Sequence, residues 1–224
     1  VTRFPIVTLS LSSIAAAIES WPGATLALQL DRAAFVWPQC WRIVTCQFTH
    51  FGMDHLLWDV LVFLILGMIC ERIDRRKKIQ VIAISIIAIP MMVILCLPGI
   101  QTYRGLSGID SALFGLLAAH LIRENVQAKR RIGVIFTISL VIAFLLKLLI
   151  EMLYGVTVFA DSAAGGFIPV PLAHLVGLLI GLYHGVRTHA VAQAFSLCAR
   201  VTSSVTRASR ASRPCELLEH CRNS

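Results

Sequence analysis

Apolar residues fall into six stretches, at 4–20, 56–70, 79–98, 107–122, 132–153 and 168–186, separated by short segments that hold most of the charge. A helix crossing a bilayer needs about 20 mostly apolar residues, and with their flanks these windows approach that length. The pattern predicts six helices and an all-α polytopic membrane bundle. The first window, "FPIVTLSLSSIAAAI", is short and polar enough to resemble the apolar part of a signal peptide, with Ala15-Ala16-Ala17 as a cleavage site. Cleavage would leave five spans and the same orientation. No repeat of 20–50 residues and no low-complexity block interrupts the spans.

Composition agrees with the pattern: 57% of the residues are hydrophobic, 14% are charged, and the mean hydropathy is +0.79. Those values lie outside the range of soluble domains. The net charge of +8 would suit nucleic acid, but its distribution points elsewhere. Arg3, the run Arg72 to Lys78, the group Arg123 to Arg131, Arg187 and the tail arginines all fall on one side if six helices alternate. Arg32, Arg42 and Arg104 fall on the other, and Lys147 lies inside the fifth window. The positive-inside rule then puts both termini in the cytoplasm. The chain divides into a membrane domain, 1–187, and a basic cytoplasmic tail, 188–224, in which Pro214 interrupts any continuous helix. The tail's partner is the anionic lipid surface, which attracts each clustered cation by about 1 kcal/mol. Of the seven cysteines, Cys40 and Cys46 fall outside together, which leaves a bridge open that nothing else supports.

Ionisable groups inside spans are costly and invite a functional reading. The second window opens with His50, Asp54, His55 and Asp59; the fourth with Ser107, Asp110 and Ser111; the sixth with His174. Alternating topology brings His55, Ser107 and His174 to similar depth near the external face. Ser107, Ser111, Gly115 and Ala119 recur every four residues, and His174 continues into Gly177 and Gly181. Small residues at this spacing let helix backbones approach closely. Such contact would bring Ser107 within reach of His174, the relation of a nucleophile to its base. Gly105 and Gly108 around Ser107 suit backbone that comes close to a substrate chain.

In this order and spacing, "WRIVTCQFTHFGMDHLLWD", "GMICER", "GLSG" and "AHLVGLLIG" resemble the rhomboid family of intramembrane serine proteases, over about Trp41 to Tyr183. The resemblance implies a six-helix rhomboid-like bundle that cleaves a membrane-anchored protein in or beside its transmembrane segment, with no cofactor and no metal. It implies Ser107 as nucleophile, His174 as general base, and His55 with the Ser107 N–H as oxyanion donors. Gly105 belongs to the same turn, His50 is a hydrogen-bonded support, and Arg42 serves the external loop's structure. "HLLWD" with "GLSG" is closer to the rhombosortase branch, thought to process proteins bearing a C-terminal Gly-Gly-type membrane anchor; that placing implies a bacterial inner membrane and an externally open site.

Two positions depart from the family pattern. Asp59 stands where asparagine is usual, and a carboxylate cannot donate to an oxyanion. Either it is protonated, or it accepts from His55 and strengthens that ring as a cationic donor; the i, i+4 spacing favours acceptance. Ser111 stands where an aromatic usually packs on the base, so support for His174 must come from elsewhere. Lys147 and Glu151, also i, i+4, read as a local ion pair, His120 as structural, Asp161 as solvated, and Asp110 as an orienting group or an acid suited to the helix's first turn. Two rivals remain: Zn²⁺ held by His50, His55, Asp59, Asp110 and His174, without an HExxH signature, and an inactive rhomboid-like protein that binds client segments. Oligomeric state is not readable.

Overall fold

The computed structural model describes residues 4–34, 37–155 and 168–187. They form α1 (Ile6–Ser20), α2 (Ala24–Leu28), α3 (Arg42–Thr45), α4 (Met53–Cys96), α5 (Ser107–Gln127), α6 (Arg131–Tyr154) and α7 (171–187), with β1 (Leu30–Asp31) paired antiparallel to β2 (Thr102–Tyr103). Each of the six apolar windows lies on helix. By length and apolarity, α4 and α6 are long enough to cross a membrane, and the protein is an all-α integral membrane protein. The expectations for the tail and for Asp161 lie outside the described residues.

The second and third windows share α4 because the two helices merge across one non-helical residue, Asp74, at φ −153° and ψ 94°. A straight helix would separate His55 from Ile89 by roughly 50 Å, at 1.5 Å per residue. Instead His55 lies against the Gly105 position and Ile89 against Gly108, three residues apart. The chain therefore reverses at Asp74, whose carboxylate accepts from the Lys77 N–H at 3.1 Å and starts the second limb as an N-cap would.

At that same end Glu71 ties α1 to α4. Its carboxylate accepts from the Val7 N–H (3.0 Å), the Thr8 N–H (2.9 Å) and the Thr8 hydroxyl (2.7 Å), and pairs with Lys78 Nζ at 2.8 Å and Arg75 Nε at 3.1 Å. An anion at the first turn of α1 satisfies N–H groups that the helix leaves open and complements its dipole. Lys78 also bonds the Thr8 hydroxyl and is fully buried, so it belongs to this lock and not, as its place in the basic run suggests, to a solvated loop. A residue's width away, Gly67 admits α1 because a Cβ there would meet the Thr8 side chain. Glu71→Ala should destabilise the bundle by about 3–5 kcal/mol, because it strands the buried Lys78 charge; the midpoint of thermal unfolding in detergent reads the loss.

α6 has the opposite character. Only Thr137, Leu148 and Glu151 are buried along its 24 residues, while Ile132, Ile135, Phe136, Leu146 and Leu153 are open, as on a helix that faces lipid. It stops at Gly155, a left-handed cap at φ 68° whose N–H bonds the Glu151 carbonyl at 3.0 Å.

The loop between α1 and α4 is held by arginines. Arg42 is buried and donates to the Leu26 and Gln29 carbonyls and to Gln39; Arg32 donates to the Val93, Ile94 and Leu97 carbonyls at the end of α4. Both act structurally, as read for Arg42. The bridge left open between Cys40 and Cys46 is absent: both thiols are free, Cys40 exposed and Cys46 buried, with burial pushing the Cys46 pKa up.

Candidate active site

Helix contact fixes the first element of the site. A Cβ on Gly177 would run into the Gly108 carbonyl, one on Gly181 into the Ala112 carbonyl, and one on Gly115 into the Leu178 carbonyl, while Gly185 faces Ala119. Backbone touches backbone along α5 and α7. The face that α5 offers is Gly108, Ala112, Gly115 and Ala119, not the expected row of Ser107, Ser111, Gly115 and Ala119. Spacings of four, three and four follow the 3.6-residue turn, whereas a strict four-residue row drifts around the helix. Gly108 thus serves packing: a Cβ there would meet Ile89 and Tyr103, so its reading as an approach for substrate is corrected.

The contact carries Ser107, the first residue of α5, to the fourth residue of α7. His174 Nε2 lies 3.0 Å from Ser107 Oγ. At that spacing an unprotonated ring nitrogen can accept the hydroxyl proton. Pro171 opens α7, where its missing N–H costs nothing. The Ser111 hydroxyl donates to the Ser107 carbonyl at 2.8 Å within its own helix.

Asp59 organises the turn that precedes Ser107. Its Oδ2 accepts the Leu106 N–H at 2.9 Å and lies 3.4 Å from Nε2 of both His50 and His55. Of the two readings for Asp59, acceptance fits this arrangement, but backbone and two rings share the oxygen. The i, i+4 pattern points to His55 alone and misses the other two partners. Gly105 sits against the cluster at φ +111°, a conformation that favours glycine, and a Cβ would meet Asp59 Oδ2 and His55 Cε1, each at 2.9 Å. Its N–H bonds the Cys46 carbonyl at 3.1 Å, joining the turn to the loop between α1 and α4. Gly105 is therefore an architectural glycine here. His50 is fully buried, and its carbonyl accepts from Arg104, which stacks over Phe51 at 4.6 Å and donates to Gln29.

His55 accepts the Phe51 N–H at Nδ1 (3.4 Å), which leaves Nε2 as the ring's donor, aimed at Asp59. His55, Asp59, Ser107, Asp110 and His174 line one cavity of about 350 Å³ between α4, α5, α6 and the start of α7. Trp58, Val62, Leu66, Phe114 and Phe144 supply its apolar wall, fit for a substrate side chain or an extended segment. Asp110 is buried, and its Oδ1 has no hydrogen-bond partner among the described residues. Among the described residues no group of three or more His, Cys, Asp or Glu side chains is placed to hold a metal ion.

One participant is absent from the sequence reading. Lys147 and Glu151 do form the expected ion pair, at 2.9 Å, but Glu151 also turns its second oxygen toward His174, with Oε2 3.6 Å from Nδ1. The available signal is an acid in the last turn of an apolar helix at the depth of His174, for which a lysine one turn earlier accounts locally. His120 pairs with Glu124 at 3.2 Å, away from the site.

Comparison with known proteins is consistent with this geometry. No curated protein matches the chain. The model of the Rhomboid domain matches residues 38–190, more than half of the 224 residues and every element that lines the cavity. The chain belongs to the rhomboid family of intramembrane proteases.

Proposed function

We propose that the protein hydrolyses a peptide bond in or beside a substrate's transmembrane segment, with Ser107 as nucleophile and His174 as general base. The observation that carries this reading is the 3.0 Å approach of His174 Nε2 to Ser107 Oγ, at the mouth of a close helix contact and inside a cavity with an apolar wall. Nε2 takes the hydroxyl proton as Oγ attacks the scissile carbonyl carbon. The oxyanion is met by the N–H of Ser107, one of the donors that a helix leaves open at its start, and by His55 once Nε2 turns from Asp59. Collapse breaks the C–N bond, His174 returns the proton to the leaving amine, and water, activated by the same ring, releases the acyl group from Oγ.

In this reading six helices cross the membrane, both termini are cytoplasmic, and the cavity opens to the external side, since the Arg75–Lys78 group lies at the Asp74 reversal, the far end of the first limb of α4 from His55. A bacterial inner membrane and a C-terminally anchored surface protein as substrate follow from the "HLLWD" and "GLSG" likeness to rhombosortases. Purified protein in proteoliposomes with a single-span membrane protein should yield two fragments whose new terminus maps near the external boundary, unaffected by chelator. An intact substrate that stays bound would favour the client-binding rival, and chelator-sensitive cleavage the metal hydrolase.

A further inference from the structure

A histidine that accepts a proton at Nε2 must carry its own proton on Nδ1, and that N–H needs a fixed acceptor if the ring is to hold its tautomer and direction. His174 Nδ1 is buried away from solvent and has no hydrogen-bond partner within ordinary reach among the described residues. Facing it at 3.6 Å is Glu151 Oε2. That separation is about 0.7 Å longer than a usual N–H···O bond, the kind of slack that free enzymes close when substrate binds.

Resting on the Ser107–His174 reading, we infer that Glu151 is a positioning residue for His174: its carboxylate accepts the Nδ1–H, aims Nε2 at Ser107 and stabilises the imidazolium formed during attack.

Further observations support the role. Glu151 is one of three buried residues on a helix that otherwise turns apolar side chains outward, and its side chain is 1% exposed against 18% for Lys147. An ion pair present only to neutralise a lysine in a lipid-facing helix would snorkel outward; here the acid points inward and the lysine occupies the outer place. Lys147 engages Oε1, which leaves Oε2 directed at the ring. The Gly155 cap holds the last turn, which fixes Glu151 opposite the first turn of α7. Ser111 donates its hydroxyl proton to the Ser107 carbonyl, and among the described residues it makes no hydrogen bond to Nδ1. The buried carboxylate is paid for by Lys147 until the imidazolium forms, so the pair holds a negative charge ready without leaving it alone in an apolar site.

Labelling by a fluorophosphonate probe in detergent tests this, because it requires an activated serine but no knowledge of the substrate. Glu151→Gln should lower the maximal labelling rate about 10²-fold, with the probe's half-saturating concentration unchanged within about twofold, since the loss falls on the chemical step. Glu151→Asp, which keeps the acceptor, should recover part of the rate; a merely structural role predicts no such rescue. Glu151→Gln with Lys147→Met leaves no stranded charge and covers the case in which the single variant fails to fold; it should stay as slow as Glu151→Gln. Ser107-dependent labelling at the wild-type rate in Glu151→Gln, or in the double variant, would overturn the inference alone. Wild-type protein that the probe does not label at Ser107 would overturn the underlying reading and the inference with it.

Discussion

Ser107→Ala and His174→Ala should each lower proteolysis by at least about 10³-fold, and the two together should cost little more than either alone. The reason is chemical. With Oγ removed no acyl intermediate forms, and with the ring removed the hydroxyl loses the base that lies 3.0 Å from it, so each change disables the same unit. Binding should survive, because the apolar wall formed by Trp58, Val62, Leu66 and Phe114 is untouched. Rates of cleavage in proteoliposomes, with substrate retention measured on the same samples, separate the two effects. A His174→Ala variant within tenfold of wild type would remove the histidine from the mechanism.

Gly181→Val should have the second largest effect, on stability and activity together. A Cβ at 181 falls on the Ala112 carbonyl and within 2.7 Å of the Leu116 nitrogen, both backbone atoms that no rotamer change can move aside. α7 must part from α5, at a cost of about 1–3 kcal/mol or more for an overpacked contact. Parting moves His174 away from Ser107, and a misplacement of about 1 Å between reacting groups costs on the order of 10²-fold. Gly99→Ala is the matched control, since nothing lies within 4 Å of a Cβ there and its thermal midpoint and activity should stay at wild type. Unchanged activity in Gly181→Val would mean that the close contact does not set the geometry.

Why such contacts were partly legible in the sequence follows from their physics. Helices appear as runs of apolar residues because lipid tolerates nothing else, so each of the six windows falls on helix. Depth is also legible: charge asymmetry alone brings Ser107 level with His174, which the 3.0 Å approach bears out as geometry. Rotation about a helix axis is not, since a four-residue row and the 4-3-4 row that packs differ by a few tens of degrees. The sequence therefore points to the Ser107–Ser111 row in place of Gly108–Ala112, and to Gly108 as an approach for substrate. Partners from distant segments are the other blind spot. Asp59 meets the Leu106 N–H, 47 positions away, and Glu71 meets α1 63 or 64 positions away, distances over which a pattern of i, i+4 neighbours carries no information. Glu151 combines both difficulties: its local partner Lys147 was visible and sufficient, while the turn of its other oxygen toward His174 depends on how α6 rotates against α7.

Mapping a covalent adduct shows directly whether Ser107 is an activated nucleophile. Protein in detergent is treated with a fluorophosphonate, digested, and sequenced by mass spectrometry. The account predicts a single phosphonylated serine at position 107, absent from Ser107→Ala and formed far more slowly in His174→Ala. An adduct on another serine, or equal labelling of wild type and Ser107→Ala, would contradict it.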